Sequence, residues 1–266
     1  MSPLLNVKAT NRLHTVKVWP QRRKAAKNPQ AKRVDTDPKP NQIWFLVIAC
    51  AFLTFSCIQP IKATIMHEEL NGQLITAAER GDTPTVLRLL KQGANINGQD
   101  ARGRTPMMAA THGEQTATVQ ALIEAGADIN LRDNRTDNPF LYAGAEGLLD
   151  ILKLLIAAHA DTKLTNRYGG TALIPAAERG HVEVVKTLLT QTDVNVNHIN
   201  NLGWTALLEA IVLSDGGVKH QQIVQLLVDH GADVNIADKE GVTPLQHARA
   251  RGFKAIEQIL VQASAR

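Results

Sequence analysis

Alanine recurs in one register along the chain, at Ala77, Ala110, Ala143, Ala176, Ala210 and Ala248, with spacings of 33, 33, 33, 34 and 38 residues. Three residues before each stands Leu74, Met107, Phe140, Leu173, Leu207 or Leu245, and five before each of the last five stands Thr105, Asn138, Thr171, Thr205 or Thr243. A fixed period of this length marks an array whose units cannot bury their apolar faces alone and must stack on their neighbours. Of the ten aromatic residues, five (Trp19, Trp44, Phe45, Phe52 and Phe55) precede residue 60. The repeating part therefore has only five rings, which rules out a large aromatic-rich core.

Each unit carries two apolar patterns. The first is short, as in Thr243-Pro244-Leu245-Gln246-His247-Ala248. There Thr can cap a helix, and Pro suits its first turn because no amide donor is needed. The second has apolar residues at helical spacing: Val86, Leu89, Leu90; Val119, Leu122, Ile123; Leu152, Leu155, Ile156; Val185, Leu188, Leu189; and Val224, Leu227, Val228. Gly93, Gly126 and Gly231 follow, where a left-handed cap favours glycine. Ala94-Asn-Ile-Asn97, Ala127-Asp-Ile-Asn130 and Ala232-Asp-Val-Asn235 then lead into the next unit. Six helix pairs are expected.

Thr-Pro-Leu-x-x-Ala, followed by Val-x-x-Leu-Leu-x-x-Gly-Ala-Asp-Val-Asn at this period, resembles the ankyrin repeat. The resemblance covers residues 70–266 and implies an all-α solenoid of about six helix-turn-helix repeats with β-turn fingers. It also implies a non-enzymatic scaffold that binds another protein through its concave face and finger tips. The arrangement is similar to that of bacterial exported ankyrin-repeat proteins. Repeat one has Gly72 in place of Thr-Pro, and repeat six ends in polar residues, as capping units require. His159 replaces the loop glycine, Pro175 falls inside a first helix, and Thr192-Asp193-Val194 carries an extra residue. The least regular geometry is thus expected in mid-array. Repeat five is longer by five residues, with the excess assigned to a helix–helix loop at Ser214–His220 that could touch a partner.

Charge is unevenly distributed. Residues 1–42 carry ten Lys/Arg against two Asp, while the rest of the chain is net −4. This basic segment lacks apolar periodicity and is expected to be disordered. Behind it, residues 43–58 form a sixteen-residue run without a charge. As a helix it would span about 24 Å, short of the roughly 30 Å of a bilayer's hydrocarbon core. A basic flank before such a run reads as a signal or membrane-anchor segment. The repeats are therefore expected in the periplasm or anchored facing it, with a cytoplasmic location as the alternative. Cys57, in Leu53-Thr54-Phe55-Ser56-Cys57, is a candidate lipidation site; an uncleaved anchor is the competing reading. The basic segment fits a topogenic flank better than a nucleic-acid site, because it has no recognisable module and an apolar run directly behind it.

No catalytic constellation is present. His67-Glu68-Glu69 lacks the second histidine of a helical zinc site. Gly169-Gly170 fits turn chemistry, and both cysteines, Cys50 and Cys57, lie in the apolar run. No cofactor, metal, nucleic acid or small-molecule substrate is expected. Finger positions before the cap residues include Arg102, Arg104, Arg135, Tyr168 and Trp204, and the positions four after the cap include Tyr142 and Glu209. Tyr, Trp and Arg commonly anchor interfaces, so these seven residues are the candidate partner-binding set. Packing of Trp204 and Tyr168 between neighbouring fingers is the alternative. Beside the scaffold stands a second functional reading, an inhibitor or immunity protein that occludes an enzyme.

Overall fold

The computed structural model describes residues 66–265. The basic segment, the apolar run and Cys57 lie outside the described residues. Twelve helices fill the described chain in six pairs. The first pair is α1 (66–80) and α2 (Thr83–Lys91), followed by α3 (Pro106–His112) with α4 (Thr116–Glu124) and α5 (Pro139–Glu146) with α6 (Leu149–Ala157). Then come α7 (Leu173–Glu178) with α8 (Val182–Gln191), α9 (Ala206–Val212) with α10 (Val218–Asp229), and α11 (Pro244–Ala250) with α12 (Lys254–Gln262). The described residues include no strand. First helices from α3 to α11 pack on one another in sequence, and second helices from α2 to α12 do the same, giving two helical layers.

The repeated alanines explain how closely the first layer packs. Ala110, Ala143, Ala176, Ala210 and Ala248 are each fully buried, and a methyl group is the largest side chain that keeps such short helices in contact. One apolar core runs from Leu74 to Leu260 through both layers. Each repeat adds its own leucines and valines to this core, so burial is shared between neighbours.

Local sequence sets the helix starts. The Thr105, Asn138, Thr205 and Thr243 side chains accept from the amides of Met108, Leu141, Leu208 and Gln246 at 3.1, 2.8, 3.2 and 3.3 Å. Pro106, Pro139 and Pro244 stand in the first turn, where an absent amide costs nothing. Repeat four departs from this scheme because of Pro175. In the other repeats the residue four after the cap donates to the cap carbonyl, as Ala109 does to Thr105. Pro175 has no amide to give, so Ile174 donates to the Thr171 carbonyl at 3.2 Å instead. The Thr171 hydroxyl, 4% exposed, is left without a partner, and α7 is six residues long.

The loops after the second helices also follow the sequence. Gly93, Gly126 and Gly231 adopt φ of 91°, 84° and 86°, and His159 takes the same left-handed region at 61°. Asn97, Asn130 and Asn197 each accept from the next repeat, from the amides of Asp128, Asp161 and Asp233 at 2.9, 3.0 and 2.7 Å. These bonds stitch the repeats together along one edge.

Repeat one, which lacks Thr-Pro, has no capped finger, and α1 runs unbroken through Gly72. One detail differs from expectation. In repeat five the extra residues do not all enter a loop: α10 begins at Val218 and runs twelve residues, three more than α4. The remaining connection is held by repeat six rather than left free. Arg251 Nη2 donates to the Ser214 carbonyl at 2.6 Å, and its guanidinium lies over the Phe253 ring at 5.0 Å. Gly216, at φ 69°, is packed so closely that a Cβ there would meet Phe253 at 2.5 Å.

Candidate functional site

Each finger is a turn closed by one carboxylate or amide oxygen. Asp100 Oδ1 accepts from the amides of Arg102 and Arg104 at 2.8 and 2.9 Å, and Asp133 Oδ1 from Arg135 and Asp137 at 2.8 and 3.0 Å. Asn166 does the same with Tyr168 and Gly170, Asn200 with Leu202 and Trp204, and Asp238 with Glu240 and Val242. These five Asx turns fix where the finger side chains point. Their signal is present in the sequence, as Asp or Asn five residues before every cap, although the candidate set drawn from finger residue types passed over it. Adjacent fingers join through Asn134 N to Arg102 O and Asn201 N to Tyr168 O, both at 2.9 Å.

In three of the fingers the second atom of the Asx side chain makes a further contact. Asp100 Oδ2 accepts from Arg104 Nε at 2.9 Å. Asp238 Oδ2 lies 2.7 Å from His247 Nε2, four residues after the Thr243 cap. In repeat five the same two positions hold a pair of inverted chemistry: Asn200 Nδ2 donates to Glu209 Oε1 at 2.7 Å. Glu209 is 5% exposed. Burial, helped by the charge of Glu178, pushes its carboxyl up to about 7.

A cleft of about 660 Å³ runs along the fingers and first helices of repeats two to five. Arg135, Tyr142, Tyr168 and Glu209 line it, together with His112, Arg167, Glu178, Arg179, Leu202 and Leu213. Tyr142 packs on His112 with ring centroids 3.9 Å apart and the planes tilted by 40°. Burial, reinforced by the charge of Arg104, holds the His112 imidazole below its usual range, so this ring favours its neutral form. Tyr168 is 52% exposed and carries the Arg167 guanidinium at 4.7 Å from its ring. Arg179 is paired with Glu146. Asp137 is raised by burial and by the neighbouring Asp133.

Three residues of the candidate set stand apart from this cleft. Arg104 is buried: its side chain is bound to Asp100 and, at 2.8 Å, to Glu79 on α1. It ties repeat one to repeat two and presents no free guanidinium. Arg102 is exposed beside Asp100, and Trp204 is half-buried; neither lines the cleft. Cys57 falls outside the described residues. Among those residues no cluster of three or more His, Cys, Asp or Glu could hold a metal, and no helix is long and apolar enough to cross a membrane.

Stacked helix pairs with projecting Asx-turn fingers define a repeat solenoid, with a cleft along the fingers and first helices of repeats two to five. Sequence comparison names the class further. The ankyrin-repeat family model of three copies matches residues 48–133, 74–166 and 140–238, and a second ankyrin model matches residues 219–261. The chain belongs to the ankyrin-repeat family, whose members generally mediate protein–protein interaction and are typically non-enzymatic scaffolds. It is 59% identical over 78 residues to YahD, described as an ankyrin repeat protein, of Escherichia coli (strain K12); that stretch spans 29% of this chain and 39% of the relative. Among solved structures, an ankyrin repeat domain from Acinetobacter baumannii AYE is 54% identical, with a TM-score of 0.70 over 73% of this chain and 98% of its own. The ankyrin repeat protein EF0377 is 42% identical, with a TM-score of 0.69 over 72% of this chain and 98% of its own. The ankyrin repeat domain of Bcl-3, a member of the IκB protein family, is 26% identical, with a TM-score of 0.66 over 73% of this chain and 86% of its own.

Proposed function

We propose that this chain is a non-enzymatic scaffold that holds another protein in the cleft spanning repeats two to five. The observation that carries the reading is the composition of that cleft. It gathers Arg135 and Tyr142 of repeat three, Tyr168 of repeat four and Glu209 of repeat five onto one continuous surface. Large rings and arginines give much burial per immobilised side chain, and a rigid array loses little entropy when it binds. Arg102, exposed at an early finger, extends the contact beyond the cleft. The proposal includes a location in the cell envelope, supported by the ten basic residues and the uncharged run 43–58 in the sequence.

Site-directed photo-crosslinking tests the reading. A crosslinker at Tyr168 should capture one protein of defined size in living cells, and one at Leu87, on the layer of second helices, should not. Equal capture from both positions, or none from Tyr168, refutes the cleft as the binding surface. If the captured protein is an enzyme whose turnover stops on binding, the chain is an inhibitor; unchanged turnover makes it a scaffold.

A further inference from the structure

The cleft is chemically lopsided in a way that specifies its occupant. At its repeat-five end three apolar side chains stand half in solvent: Tyr168, Leu202 and Leu213 are 52, 50 and 49% exposed. The first helices α7 and α9 bring Glu178, half-buried, and Glu209, 5% exposed, to the floor of the same cleft. Neither carboxylate has a cationic partner among the described residues. Of the guanidiniums that line the cleft, Arg179 pairs with Glu146, Arg167 lies over the Tyr168 ring, and Arg135 stands in the finger of repeat three. Asn200 satisfies one oxygen of Glu209, but it brings no charge.

Resting on the protein-binding reading above, we propose that the cleft takes a partner segment in which a Lys or Arg side chain stands between apolar neighbours. The cation meets Glu178 and Glu209, and the neighbours cover Tyr168, Leu202 and Leu213. The fit follows from charge complementarity and shape together. A long cationic side chain buries its methylene stem along apolar surface while its head reaches a polar floor. A carboxylate already withdrawn from water, with no counter-ion, gains more from an arriving cation than an exposed one does. Burial and the Glu178 charge hold Glu209 near 7, so its ionised form is the one that an incoming cation stabilises. An acidic segment would meet repulsion at the same floor. At about 660 Å³ the cleft is within the size range of ordinary ligand clefts.

The test is selection of a phage-displayed random octapeptide library on the full chain. The selected peptides are then titrated against wild type and the Glu178→Gln/Glu209→Gln double variant. Glutamine at 209 keeps an acceptor for Asn200 while removing the charge, and an unchanged far-ultraviolet circular dichroism spectrum checks the fold. The expected result is enrichment of Lys or Arg flanked by apolar residues, with affinity lowered tenfold or more in the double variant. Cationic peptides that bind the variant as tightly as wild type overturn the inference. Enriched peptides that lack a cation and lose binding in Tyr168→Ala also overturn it, while leaving the cleft as a protein-binding surface. If no peptide is enriched, both the inference and the cleft reading fall.

Discussion

Replacing Asn200 by Asp changes one atom group in the finger of repeat five, yet at pH 8 it should cost as much as many core truncations do. Asn200 is 6% exposed and Glu209 is 5% exposed, and the bond between them is 2.7 Å long. The substitution removes the donor and sets two carboxyls against each other. Loss of a hydrogen bond to a charged acceptor costs about 1.5–3 kcal/mol. Repulsion between two unit charges about 4 Å apart adds up to about 4 kcal/mol at an effective dielectric of 20, unless a proton intervenes. Below pH 6 a proton does intervene, because Glu209 is already held near 7 in the wild type. A protonated Glu209 then donates to the introduced carboxylate. We therefore expect Asn200→Asp to lose about 2–4 kcal/mol at pH 8 and under about 1 kcal/mol at pH 5. Thermal melts at the two pH values read this directly, at roughly 2–4 °C per kcal/mol for an array of this size. The second arm is the double variant Asn200→Asp/Glu209→His, which imports the Asp238–His247 pair of repeat six. It should recover most of the loss at pH 8. Equal melting of wild type and Asn200→Asp at pH 8, or no recovery in the double variant, refutes the pairing argument.

The remaining expectations concern single groups. Thr171→Val removes a buried hydroxyl that has no partner and should stabilise by about 1 kcal/mol, seen as a melt raised by roughly 2–4 °C. His159→Gly relieves a side chain at φ 61° and should gain about 0.5–1 kcal/mol in urea unfolding. Arg104→Ala leaves Glu79 without its ion-pair partner and Asp100 with the exposed Arg102 alone; because Glu79 is partly exposed, about 1–2 kcal/mol should be lost, with faster amide exchange confined to α1 and α2. Glu209 has a folded pKa above its unfolded value of 4.5. Its contribution is thus fully present below about pH 4.5 and declines as the pH rises through 7, by about 3 kcal/mol in all. Subtracting the Glu209→Gln stability curve from the wild-type curve isolates that decline, and a flat difference refutes it.

Features encoded within one repeat are legible from the sequence, and features that depend on a neighbouring repeat are not. The period of the alanines and the Thr or Asn caps are local signals, and helices start where they specify. The weakness around Pro175 is legible too, because a missing amide follows from residue type alone. Arg104 reads as a free finger side chain until its partner Glu79, 25 residues earlier on a different helix, is in view. Counting residues assigns the insertion in repeat five to a loop, yet helix α10 takes up part of it and Arg251 from the next repeat pins the rest. Residue type and register pick out Glu209 as a possible contact. Its raised carboxyl requires knowing that the fold buries it and brings Glu178 close to it.

The inverted pairs in repeats five and six also bear on how such an array changes over generations. Asn200 with Glu209 and Asp238 with His247 each lie nine residues apart, within one finger and the helix that follows it. A duplication or exchange that breaks the chain in a second helix carries both members together and leaves their chemistry matched. A break between finger and first helix separates them and can unite Asp with Glu in a buried contact. Crossover points that yield folded offspring should therefore fall in the outer helices, so that the inheritable module begins at a finger rather than at a helix.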